Sequence, residues 1–251
     1  MSERQVTFSV FRYRPEQDGA PSYSDYQVPC RPDWVVLDAL NYIKDHLDPT
    51  LSYRWSCHMA VCGSCGMMIN DEPQLACKAF IRDLPATIRV APLDHLPVVR
   101  DLIVDQARLI DGLGAVKAWL IPDRPPPGDT YRQTPAEFAR YHQWTLCINC
   151  MLCYAACPQV GLSADYHGPA ALALAQRYNQ DSRDGGHRQR AAQVAGEQGI
   201  WECTFVGECS SVCPNQVDPA AAIQQLKLAS SVDWLTEWMH REHDPKQEEN
   251  R

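Results

Sequence analysis

The stretch CINCMLCYAACP, residues 147–158, decides the reading of this chain. It sets Cys147, Cys150, Cys153 and Cys157 in the order C-x2-C-x2-C-x3-C, closed by Pro158. That is the ligand run of cubane iron–sulfur clusters, whose iron takes soft thiolates in a tetrahedral field. A second run, WECTFVGECSSVCP (201–214), copies it imperfectly: Cys203, Cys209 and Cys213-Pro214 fall in register, and Val206 stands where a thiol is expected.

In two-cluster ferredoxins the fourth cysteine of such a run ligates the other cluster. Cys147, Cys150, Cys153 and Cys213 are therefore expected around one 4Fe–4S cluster. Cys157 is expected to cross to the other, with Cys203 and Cys209. The isopropyl group of Val206 cannot coordinate iron. A cubane lacking that ligand tends to lose the iron and become 3Fe–4S. The alternative is a 4Fe–4S cluster with water or another side chain at that corner.

A third constellation lies upstream. Cys57, Cys62 and Cys65 form C-x4-C-x2-C, the plant-type spacing for a 2Fe–2S cluster, and Cys77 follows, sooner than in plant ferredoxins. Gly63, Ser64 and Gly66 fill the loop. Glycine lets backbone N–H groups turn inward and approach the sulfurs. Zinc is the competing occupant, but structural zinc sites usually pair two short cysteine knuckles. A Rieske reading through His58 fails, because His58 stands beside the first ligand and no second histidine has ligand spacing. It is read as a neighbour of the cluster. Cys30, in VPCRP, has no partner in sequence and reads as a small packed residue.

These assignments use eleven of the twelve cysteines. Disulfides are not expected: the N-terminus MSERQVTFSV lacks the basic and apolar regions of an export signal, so a reducing compartment is anticipated. No window approaches 18 uncharged apolar residues, as a membrane span requires. A net charge of −8 argues against a nucleic-acid partner. Three centres of different type suit the conduction of single electrons better than substrate chemistry.

The chain divides by pattern near residue 100 into domains 1–100 and 101–251. VTFSVFRY (6–13) alternates as a half-buried strand, and SYSDYQV (22–28) reads as its hairpin partner. VVLDALNYIKDHL (35–47) has helical spacing, and short strands are expected near GMMIN and ATIRVAPL. This half reads as a mixed sheet packed on one helix. DLIVDQARLIDGLGAVKAWL (101–120) is helically spaced, broken at Gly112 and Gly114, and IPDRPPPGDT (121–130) is an irregular connector. Three helix starts follow: Thr134-Pro135, Gly168-Pro169 and Asp218-Pro219. The tail HREHDPKQEENR is expected to fray.

The motifs RWSCHMAVCGSCGMMIN, QLACKAF, CINCMLCYAACPQ, NQDSRD and CTFVGECSSVCPNQVDPAAAIQQ resemble the iron–sulfur subunits of the succinate dehydrogenase and fumarate reductase family, the fumarate reductase branch in particular. The resemblance spans roughly residues 5–230. It implies an α+β chain: an N-terminal β-grasp, plant-type ferredoxin domain and a C-terminal all-α, bacterial ferredoxin-like domain. It implies an electron-transfer subunit, not catalytic alone, that joins FAD in a flavoprotein partner to quinone, menaquinone or ubiquinone, at a hydrophobic membrane anchor. The subunit would be held on the cytoplasmic face of the inner membrane. Thr204, Phe205, Gln224 and Lys227 correspond to quinone-lining positions. Lys227 would bond a quinone oxygen or supply a proton, against the alternative of a solvated helix-end lysine. After Pro158 the chain reads Gln159-Val160-Gly161, where the succinate dehydrogenase branch often has a tryptophan. That points towards fumarate reduction by menaquinol. The alternatives are a succinate dehydrogenase subunit running in the opposite direction, or a carrier for another flavoprotein.

Overall fold

The computed structural model describes residues 5–122 and 130–241. Strand β1 (Gln5–Arg12) turns every second side chain inward, burying Val6, Phe8 and Val10. It pairs antiparallel with β2 (Ser22–Pro29), in a register running from Gln5 opposite Pro29 to Arg12 opposite Ser22. Helix α1 (Val36–Tyr42) then crosses the sheet. It runs into a wider turn over Ile43–Leu47, where the Asp48 N–H reaches back to the Ile43 carbonyl at 2.7 Å. Strands β3 (Gly66–Ile69), β4 (Glu72–Leu75) and β5 (Thr87–Ala91) complete a five-stranded sheet in the order β2-β1-β5-β3-β4. β1 and β5 run parallel and the other pairs antiparallel. Val36, Leu37, Leu40 and Ile43 pack on Phe8, Met67, Ile88 and Val90 in one core. This is the expected mixed sheet on one helix, a β-grasp.

The inward position at the end of β1 is Arg12. Its guanidinium bonds the Asp101 carboxylate at 3.1 Å, the Tyr26 hydroxyl, Thr50 and Asp48. Asp101 is fully buried and also accepts the backbone N–H groups of Tyr13 and Ser52, each at 2.9 Å. This network corrects the helix expected over 101–120. Asp101 pins the chain in a left-handed turn, φ +44°, between β6 (Val98–Arg100) and β7 (Ile103–Val104). Only from Ala107 does helix α2 (Ala107–Ala115) begin.

The rest is helical: α3 (Pro135–Ala139), α4 (His142–Thr145), α5 (Leu152–Ala155), α6 (Pro158–Leu162), α7 (Pro169–Asn179), α8 (His187–Val194), α9 (Glu208–Ser211) and α10 (Pro219–Arg241). Thr134 caps α3 with Glu137 in a reciprocal box, and the helix expected over 134–143 breaks before His142. The Asp218 carboxylate accepts the Ala221 N–H at 2.9 Å, the N-cap expected for α10. α7 and α10 pack through Ala171, Leu172, Ala175, Ile223 and Leu226. Arg190 is buried against Asp184, Asn179 and the carbonyls of Lys117 and Trp119. Among the described residues no helix is long and apolar enough to cross a membrane. Most of the Pro-rich connector (residues 123–129) and the tail beyond Arg241 lie outside the described residues.

Removing one partner of a buried ion pair costs about 3–5 kcal/mol, because the other charge is stranded. Asp101→Ala is expected to lower the thermal midpoint of the cluster-loaded protein markedly, read from loss of visible absorption. An unchanged midpoint would deny the network its role in fixing the turn.

Candidate iron–sulfur sites

In the loop 57–65 backbone donors face the cysteine sulfurs. The N–H groups of Met59, Val61 and Cys62 point at the Cys57 sulfur at 3.3–3.4 Å, and the Cys57 N–H at the Cys62 sulfur at 3.5 Å. Left-handed backbone at His58, Ala60 and Gly63 coils the loop so that these donors face inward. The Cys65 and Cys77 sulfurs lie 3.2 Å apart. The segment bearing Cys77 is moored to α1, whose Val36 and Leu37 N–H groups bond the Ala79 and Ala76 carbonyls. His58 is held by Asp38 on α1 at 3.0 Å, beside the loop. Cys30 is half-buried against the core, as a packed residue would be.

The thiols differ electrostatically. The Ser64 hydroxyl, with backbone N–H groups, brings the Cys62 thiol down to about 6. Burial pushes the Cys65 thiol up to about 12. Ser64 was legible only as part of the glycine-rich loop, and its bond to sulfur required the fold.

In the helical half Cys147, Cys150, Cys153 and Cys213 wall one cavity. The left-handed residues Asn149 and Met151 let the chain from Cys147 to Cys153 curl round it. The Val217 N–H donates to the Cys213 sulfur at 3.3 Å. Cys157, Cys203 and Cys209 wall a second cavity, which Val206 also lines. Each cavity thus draws on both cysteine runs. Burial raises the Cys150 and Cys209 thiols to about 11 and pushes the Cys153 thiol well above its ordinary value. Thiolates must form before metal binds, so loading these sites releases protons.

Two helices aim their starts at the cavities: Ala170 of α7 and Pro219 of α10 line the first, and Pro169 and Ala220 the second. Their positive dipole ends suit an anionic occupant. Ser210, next to Cys209, bonds the Asp218 cap at 2.5 Å, tying the thiol to the start of α10. Among the described residues no three His, Cys, Asp or Glu side chains are arranged to hold a single metal ion. The thiols ring volumes with mostly apolar walls, which fits a polyatomic cluster.

Thr204 and Phe205 line the rim of the three-thiol cavity. Lys227 donates to the Cys203 carbonyl at 2.7 Å, and Gln224 Nε2 is buried without a hydrogen-bond partner. The helix-end alternative for Lys227 falls away, because α10 continues to Arg241.

Comparisons with known proteins agree with this geometry. Residues 7–111 match a family described as a 2Fe-2S iron-sulfur cluster binding domain, and residues 143–217 a 4Fe-4S dicluster domain. The fumarate reductase iron-sulfur subunit of Escherichia coli O6:H1 is 54% identical over 92% of this chain and 96% of its own length. The chain belongs to the iron–sulfur subunit family of fumarate reductase and succinate dehydrogenase. The fumarate reductase iron-sulfur subunit of Mycobacterium tuberculosis is also 54% identical, over 92% of this chain and 95% of its own. The succinate dehydrogenase iron-sulfur subunit of Coxiella burnetii is 34% identical over 88% and 95%. A chain of the Mycobacterium smegmatis Sdh1 complex in the apo form superposes with a TM-score of 0.80 at 25% identity, covering 97% of this chain and 99% of that one. As a member of this family the chain is an electron-transfer subunit of an oxidoreductase complex, with 2Fe–2S and 4Fe–4S domains.

In iron-free protein at pH 7.5, above the Cys62 value and below that of Cys65, iodoacetamide is expected to modify Cys62 in preference to Cys65. Equal labelling by peptide mass spectrometry would contradict the Ser64 contact. The preference should shrink in Ser64→Ala.

Proposed function

We propose that this chain carries single electrons between a quinone pocket and the flavin of a partner subunit, by way of three clusters. Cys57, Cys62, Cys65 and Cys77 would hold 2Fe–2S. Cys147, Cys150, Cys153 and Cys213 would hold 4Fe–4S, and Cys157, Cys203 and Cys209 would hold 3Fe–4S. The observation that carries the reading is the inequality of two neighbouring cavities, one with four thiols and one with three thiols and Val206. Bound clusters supply one-electron couples. The chain's residues hold them, neutralise part of their charge and space them. The proximity of the Cys65 and Cys77 sulfurs suits two thiolates on one iron, with Cys57 and Cys62 on the other.

The direction favoured is fumarate reduction. The fumarate reductase relatives are 50–54% identical, against 34–36% for the succinate dehydrogenase ones. FAD and the dicarboxylate site would belong to the flavoprotein, and a hydrophobic anchor would seat the subunit on the cytoplasmic face of the inner membrane. Thr204, Phe205, Gln224 and Lys227 would border the quinone. An ammonium has three donors, so Lys227 keeps two after bonding Cys203. Gln224 stands one helical turn away with an unused donor. Both could meet a quinone oxygen.

Anaerobically prepared protein should hold about nine iron atoms per chain, the sum of the three clusters. The oxidised protein should show a 3Fe paramagnetic signal that Val206→Cys replaces with a 4Fe–4S signal on reduction. An unchanged spectrum would remove Val206 from the vacant corner. In the assembled complex, Gln224→Leu is expected to raise KM for quinol while leaving the 3Fe signal intact. An unaltered KM would take Gln224 out of the pocket.

A further inference from the structure

The loop of the first cluster and the loop of the second touch. Gly63 and Gly66 flank Cys65, and both face the segment carrying Cys150. A Cβ at Gly63 would stand 2.8 Å from the Ile148 carbonyl oxygen and 2.9 Å from Cys150 Cβ. A Cβ at Gly66 would stand 2.9 Å from the Cys150 carbonyl oxygen and 3.2 Å from the Leu152 side chain. Real Cβ atoms do not come so near to backbone, so no other residue permits this approach. One link therefore runs from the Cys65 thiol through the Cys65–Gly66 backbone, across a van der Waals gap, to Cys150 and its thiol. A second link is longer and exposed: Lys78, after Cys77, donates to the carbonyl of Pro214, after Cys213, at 3.3 Å.

We infer that electrons cross between the first two clusters at the Gly66–Cys150 contact, and that Gly66 is a positioning residue whose missing side chain sets the gap. The inference rests on the cluster assignment proposed above. The step moves one electron from the reduced centre to the oxidised one, in either direction; no bond or proton changes place. Tunnelling falls off exponentially with distance, so a wall that opens by a fraction of an ångström slows the transfer. Gly63 has φ +73°, where a side chain strains the loop itself. Gly66 carries no such restriction, so alanine there leaves its backbone conformation allowed and presses on the Cys150 carbonyl and the Leu152 side chain.

The test uses the cluster-loaded chain. In wild type, full reduction should give 2Fe–2S and 4Fe–4S paramagnetic signals broadened by their mutual coupling. Gly66→Ala should keep the iron content and both broadened signals, and show slower arrival of the electron at the second cluster after flash reduction of the first. A wild-type rate in Gly66→Ala with both clusters present would overturn the inference. Should Gly66→Ala fail to load, Lys78→Met decides: a wild-type transfer rate supports the glycine contact, and a slowed rate transfers the role to the lysine link. A wild-type spectrum without the two cluster signals would instead sink the cluster assignment itself.

Discussion

The constraint on which this molecule depends is the burial of thiol sulfur. A thiolate ligand must be charged, yet low-dielectric surroundings favour the neutral thiol, and burial raises Cys65, Cys150, Cys153 and Cys209 accordingly. The fold offsets this with fixed dipoles. The backbone N–H groups of Cys77, Leu152 and Ser210 counter the burial of the Cys65, Cys150 and Cys209 sulfurs, and the starts of α7 and α10 line both helical-half cavities. These groups are already oriented, so no reorganisation accompanies charge arriving or leaving, as repeated one-electron steps require.

Much of this was legible because ligand spacing is a local property. The runs 57–65, 147–157 and 203–213 carry their own signature, and the interruption at Val206 is visible once the two cubane runs are laid over each other. The proline-led starts of α3, α7 and α10 were likewise local. Contacts across long separations were hidden. Arg12 and Asp101 read as ordinary charges, and the helical spacing of 101–120 concealed that Asp101 is seized by β1 and the segment at Ser52. Lys227 resembled a helix-end residue because the pattern beyond residue 230 is less regular, while the helix continues. Gly66 passed as a loop glycine, since nothing local reveals the Cys150 carbonyl facing it.

The two halves solve one problem by different means. The β-grasp half fixes its sulfurs through a coiled loop moored to a helix. The helical half fixes its sulfurs through short helices whose ends abut two cavities. They meet backbone against backbone at Gly63 and Gly66, beside the Lys78–Pro214 bond and a core that both share.

Each cavity of the helical half is walled by thiols from both cysteine runs, Cys213 having crossed one way and Cys157 the other. A nascent chain that has emerged only as far as residue 200 therefore possesses neither complete cage. The three-thiol cage must wait for Cys209 and the four-thiol cage for Cys213, and a truncation at residue 200 forfeits both together.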